Sequence, residues 1–104
     1  SWEIDLTHPE MAGKLREALR QVIDPELGLS IVELGLVRKL ALREDHVHLK
    51  MILTTPFCPY GPAMIEMTRA KAEEAAGMPA TVEFGMEMWD PSMMEGGAAA
   101  AWGF

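Results

Sequence analysis

The chain holds a single thiol, Cys58, within TTPFCPYGP at residues 54–62, set between Pro56 and Pro59 with Pro62 close behind. A thiol attacks electrophiles and ligates soft metals as the thiolate, so its surroundings decide how much chemistry it can do. The residues before Cys58 read as a buried type of strand and those after it as a helix. This places the sulfur where unpaired backbone N–H groups and the positive end of a helix dipole converge. Such a position favours ionisation and predicts an accessible, low-pKa thiol. Pro59 fits a first helical turn, where a missing N–H is no loss. Pro62 would lack the N–H due to bond back to Cys58, so the regular helix is expected to begin at Gly61 or Pro62 after a loose turn. Thr54 and Thr55 set two hydroxyls beside the sulfur, while Pro56 and Pro59 stiffen the backbone that carries it. The same residues also fit a plainer account, in which the cysteine fills a corner and the threonines serve strand propensity or a turn cap.

Other reactive side chains are weaker candidates. His46 and His48 fall on one side of a strand at a spacing that can share a metal, but they sit near a hairpin tip with no third ligand and read as solvated surface. Nine methionines could suggest soft-metal binding or a pliable contact surface. Helical and strand spacing assigns most of them to the core, with Met64, Met67, Met86 and Met88 the examples, whereas Met93, Met94 and Trp102 are better placed for an exposed apolar contact. Glu66, Glu73 and Glu74 with Arg69 and Lys71 read as a solvated helix face. A cysteine enzyme would need a base and a charge-stabilising group, and none of His8, His46 and His48 is tied to Cys58 by sequence. No catalytic residue is assigned. A peroxide or disulfide sensor needs only an exposed thiol and a partner thiol, and a protein–protein adaptor needs no thiol at all, so both remain alternatives.

The elements that position Cys58 follow from periodicity. Met11, Leu15, Ala18, Leu19 and Val22 recur at helical spacing and predict an amphipathic helix from Pro9 to Val22, stopped ahead of Asp24-Pro25. Residues 24–36, DPELGLSIVELGL, are expected to form an ordered loop. Leu36–Arg43 and His46–Thr54 alternate as a hairpin around Glu44-Asp45, Ala63–Ala76 forms a second helix, and Thr81–Trp89 a third strand. The fold class is α+β, in two layers ordered helix-strand-strand-helix-strand, with both helices on one face of a small mixed sheet. Residues 1–104 read as a single domain, with 92–104 as a flexible tail or a frayed short helix.

Composition narrows the function. The formal charge of −7 and the shortage of Lys and Arg argue against nucleic acid and anionic membranes as partners. No apolar run approaches the roughly 18 residues that cross a bilayer, and residues 1–10 do not read as a secretory signal. A lone cysteine suits a reducing compartment, which points to the cytoplasm.

Three separated stretches in order, DPELGLSIVELGLV at 24–37, HLKMILTTPFCP at 48–59 and VEFGMEMWDPSMM at 82–94, resemble the iron-sulfur cluster assembly domain family that includes SufT- and PaaD-like proteins. The resemblance runs from about Leu15 to Met94. It implies an accessory factor in iron-sulfur cluster assembly or metalloprotein maturation, whose partners are assembly proteins or apo-client proteins. The family's functional positions match Asp24, Pro25, Glu26, Thr54, Thr55 and Cys58, while Phe57 and Tyr60 replace its usual Gly and Leu-like residues. The chain lacks the cysteine-rich extension of PaaD, which favours a general role. Clusters are generally held by about four thiolates or imidazoles. One cysteine therefore implies a transient cluster, shared with a second chain in a homodimer, with a partner or with a small thiol, in which Cys58 supplies this chain's metal ligand. Asp24 and Glu26 could add oxygen ligands or guide a metal, or serve only as helix stop and loop turn.

Overall fold

A computed structural model describes residues 2–55 and 57–96, so Pro56, Trp102 and most of the expected tail lie outside the described residues. The chain opens with a short helix that periodicity did not reveal, α1 (Glu3–Thr7), too brief to show a repeating apolar face. Its first turn is closed by Asp5, whose carboxylate accepts the Trp2 backbone N–H at 2.7 Å. Arg16 then ties α1 to the next helix, donating to both Asp5 oxygens at 2.9 and 3.0 Å while lying 4.1 Å from the centroid of the Trp2 ring.

Helix α2 (Pro9–Leu19) starts at the expected proline but ends short of Val22. Arg20 and Gln21 form a turn, and the Val22 N–H bonds the Leu19 carbonyl at 3.1 Å, which carries Val22 into the core. The segment expected to be only a loop contains a minimal antiparallel hairpin, β1 (Ile23–Asp24) with β2 (Leu29–Ser30). Strands β3 (Val37–Leu42) and β4 (Val47–Met51) pair antiparallel as predicted, and α3 (Gly61–Ala76) crosses over to β5 (Ala80–Phe84), which lies parallel to β4. The order β3-β4-β5 makes a mixed sheet with β4 in the middle. Helix α3 packs on β4 and β5, and α2 packs on α3. Leu15 and Leu19 of α2, Met64 and Ala72 of α3, and Leu40, Val47 and Leu49 of the sheet share one apolar cluster. The α+β reading and the order of the main elements thus stand.

Two expectations fail at the C-terminal side. The third strand stops at Phe84 rather than Trp89, and Met86 and Met88, assigned to the core by their alternation, are 91% and 78% exposed. Met67 is also exposed. The strand stops because its neighbour does. Gly85 N–H still bonds the Met51 carbonyl at 2.7 Å, but β4 ends at Met51, and among the described residues no backbone hydrogen bond reaches residues 86–88. Conversely Met94, expected at the surface, is buried. It follows a 3-10 turn (Pro91–Met93) that the Glu95 N–H fixes to the Glu33 carbonyl at 2.8 Å.

Candidate functional site

Cys58 lies in the connection between β4 and α3. Its own N–H bonds the Thr55 carbonyl at 3.3 Å and its carbonyl accepts the Gly61 N–H at 3.1 Å, so the sulfur-bearing residue is held in a tight turn that runs directly into α3. Regular helix starts at Gly61, as the two flanking prolines require. Gly61 also packs closely there. A Cβ on Gly61 would stand 2.7 Å from Leu53 Cδ1, so the absence of a side chain lets the helix start press on the strand end. The accessibility expected of a reactive thiol is not what the structure has: Cys58 is 8% exposed and joins the apolar cluster. It is Phe57, 88% exposed, and Tyr60 that face outward, because the turn directs its bulky residues away from the core and its small one inward.

The acidic loop meets one member of the threonine pair, Thr54. Asp24 is 1% exposed, and its two oxygens are both engaged. Oδ1 accepts the Glu26 N–H at 2.9 Å, an Asx turn that shapes the β1–β2 hairpin, and Oδ2 accepts the Thr54 hydroxyl at 3.2 Å. A carboxylate so occupied braces the loop against the end of β4. This is the structural alternative left open by the sequence. Glu26 and Pro59 are exposed. Thr55 Oγ1 accepts the Phe57 N–H at 3.3 Å and so stiffens the turn from within.

The remaining candidates fall elsewhere. His46 Nδ1 lies 2.8 Å from Asp45 Oδ1, while His48 contacts Thr81 Oγ1 at 2.8 Å and Glu83 Oε1 at 3.2 Å on the open face of the sheet. Each imidazole thus has its own partners. Among the described residues no three His, Cys, Asp or Glu side chains gather as a metal cage, and no helix is long and apolar enough to cross a membrane.

Sequence reasoning missed a groove at the end of β4. Leu53, Thr54, Phe84, Met86, Met88 and Trp89 line a groove of about 250 Å³, mostly apolar, that shares Thr54 and Leu53 with the Cys58 turn. The available signal was Gly85, since a glycine within an alternating run often marks close backbone approach. A Cβ there would come 2.9 Å from Ile52 Cγ2.

Residues 13–84 match the model of a family described as iron-sulfur cluster assembly protein. The chain is similar to the Fe-S protein maturation auxiliary factor YitW of Bacillus subtilis, 47% identical over 58 residues that cover 54% of this chain and 57% of that one. The match thus spans less than two thirds of that relative. It is also similar to an Fe-S protein maturation auxiliary factor of Porphyromonas gingivalis, 34% identical over 89 residues covering 83% of this chain and 85% of the relative. In three dimensions it is similar to a crystal structure of a domain of unknown function, DUF59, from Bacillus anthracis, with a TM-score of 0.81, 26% identity and coverage of 95% and 97% of the two chains.

Proposed function

The chain belongs to the iron-sulfur cluster assembly protein family, and from that premise we propose that it is a cytoplasmic accessory factor without catalytic turnover, which helps pass iron-sulfur clusters to apo-client proteins. Residues 1–104 act in this reading as one assembly domain. The observation that carries it is the placement of the lone thiol: Cys58 sits in a turn braced on one side by the Asp24–Thr54 bond and on the other by the start of α3. The turn holds it in a fixed place just after the end of β4, where Leu53 and Thr54 form one wall of an open groove.

A single thiolate supplies about a quarter of the ligands a cluster ordinarily has. The cluster is cargo here, completed by ligands from a partner, a second copy or a small thiol, and it leaves easily because this chain contributes so little of its coordination. The burial of Cys58 fits a donor that stays covered until a partner engages the exposed Phe57 and Tyr60 and opens the turn. Local opening exposes the sulfur without unfolding the sheet.

Anaerobic reconstitution of the wild type and of Cys58→Ala, with iron and sulfide measured per chain and transfer to a defined apo-ferredoxin followed by absorbance, tests this. The variant is expected to keep its circular dichroism and lose both cluster and transfer. Equal iron and equal transfer in the variant would show that the thiol is incidental and would favour an adaptor.

A further inference from the structure

Exposure divides the nine methionines of the chain. Met51, Met64 and Met94 are buried, and Met11, Met78 and Met93 are half-buried. Met67 is 47% exposed on α3, whereas Met86 and Met88 reach 91% and 78%. A two-electron oxidant turns an apolar thioether into a polar, chiral sulfoxide, and methionine sulfoxide reductases reverse the change. Access decides which methionine is marked.

The surroundings decide what the mark does. A sulfoxide formed in the apolar cluster would bury an S–O dipole without a hydrogen-bond partner, at a cost to the fold. On Met86 and Met88 the same dipole faces water. The backbone that carries them is fixed by other groups. Gly85 N–H bonds the Met51 carbonyl at 2.7 Å, the Trp89 indole N–H donates to the Leu34 carbonyl at 2.7 Å, and Arg38 Nε lies 3.4 Å from Glu87 Oε2. None of these contacts involves a thioether, so all survive oxidation. What changes is the groove at the end of β4, where both methionines stand with Leu53, Phe84 and Trp89. Two oxidations thus act on one apolar surface.

We infer that Met86 and Met88 form a reversible oxidation site, at which a peroxide converts this groove from apolar to polar while the fold stays intact. In each event the thioether sulfur attacks one oxygen of hydrogen peroxide and the O–O bond breaks as the S–O bond forms. Sulfur gives up two electrons, and the other oxygen leaves as water with both protons. One peroxide is consumed per methionine. No thiolate, cluster or metal takes part, so the site goes beyond the assembly reading and operates whether or not the chain carries a cluster.

The test treats the full metal-free chain with hydrogen peroxide in the presence of a chelator, and reads the sulfoxide fraction at each methionine over time by peptide mass spectrometry. Met86 and Met88 are expected to oxidise at least about tenfold faster than Met51, Met64 and Met94, with Met67 between, because the buried sulfurs react only through opening of the fold. In urea the nine rates should converge. Once Met86 and Met88 are oxidised, the circular dichroism spectrum should be unchanged and the native protein should elute earlier from a hydrophobic-interaction column. A methionine sulfoxide reductase with a dithiol should restore the retention. M86L/M88L keeps an apolar surface without the thioethers and should hold its retention through the same treatment. Cys58→Ala should match the wild type in rates and in shift, which separates this result from the cluster assay. Faster oxidation of a buried methionine, a loss of circular dichroism when only Met86 and Met88 are oxidised, an equal retention shift in M86L/M88L, or a shift that disappears in Cys58→Ala would each overturn the proposal.

Discussion

Replacing Asp24 separates a brace from a ligand. The carboxylate receives two hydrogen bonds, from the Glu26 N–H and the Thr54 hydroxyl, and is almost wholly buried. Hydrogen bonds to a charged group contribute about 1.5–3 kcal/mol each. The Glu26 N–H lies on an exposed residue and regains water when Asp24 is truncated, whereas the half-buried Thr54 hydroxyl does not recover fully. Asp24→Ala is therefore expected to cost about 2–3 kcal/mol, a fall of roughly 10–20 °C in Tm for a chain of this size. Asp24→Asn keeps an acceptor for the Glu26 N–H, and its amide can donate to the Thr54 oxygen once that hydroxyl rotates, so about 1 kcal/mol should be lost. Urea unfolding followed by tryptophan fluorescence measures both. A double-mutant cycle with Thr54→Val should return a coupling near 1 kcal/mol between Asp24 and Thr54. If Asp24→Asn costs as much as Asp24→Ala, or if the cycle returns no coupling, the carboxylate is not acting as a brace. If Asp24→Asn leaves stability intact but abolishes cluster uptake, the negative charge itself is needed.

Further outcomes can be measured separately. Gly35 has φ +73°, and a Cβ there would stand 2.0 Å from the Met93 carbonyl oxygen, so Gly35→Ala should cost more than about 2 kcal/mol and release the 3-10 turn, seen as a change in the near-ultraviolet signal of Trp89. The hydrogen bonds from Arg16 hold the Asp5 carboxyl below its ordinary value of 3.8, working against its partial burial. Its stabilisation is thus complete above about pH 4 and is lost as the pH falls through the lower folded value, so Asp5→Asn should lower the urea midpoint at pH 7 and flatten the loss of stability in acid. Native Cys58 should react with iodoacetamide at least about tenfold more slowly than in urea, and a rate equal to that of the unfolded chain would contradict its burial.

The elements around the site were legible where periodicity is long. The alternation of β4, with Val47, Leu49 and Met51 inward, and the helix formers of α3 announced themselves because each repeats its pattern over several residues. The start of α3 at Gly61 was readable from the prolines. What could not be read depended on where other parts of the chain end. Met86 and Met88 continue the alternation of β5 faithfully, and the end of β4 at Met51 leaves them without a partner strand among the described residues. Cys58 is covered for the same kind of reason, since its exposure is set by the packing of the turn and not by the residues beside it. The Asp24–Thr54 bond joins residues thirty apart, so the motifs could suggest that these positions matter but not that they hold each other.

The parallel pairing of β4 with β5 fixes an order of assembly. The two walls of the groove lie on opposite sides of the α3 crossover, Leu53 and Thr54 before it and Phe84 to Trp89 after it. During synthesis on the ribosome the turn bearing Cys58 emerges with only one wall in place, and the other arrives after the whole of α3 has been made. A nascent chain halted before Ala80 would carry the Cys58 turn with one wall of the groove still missing.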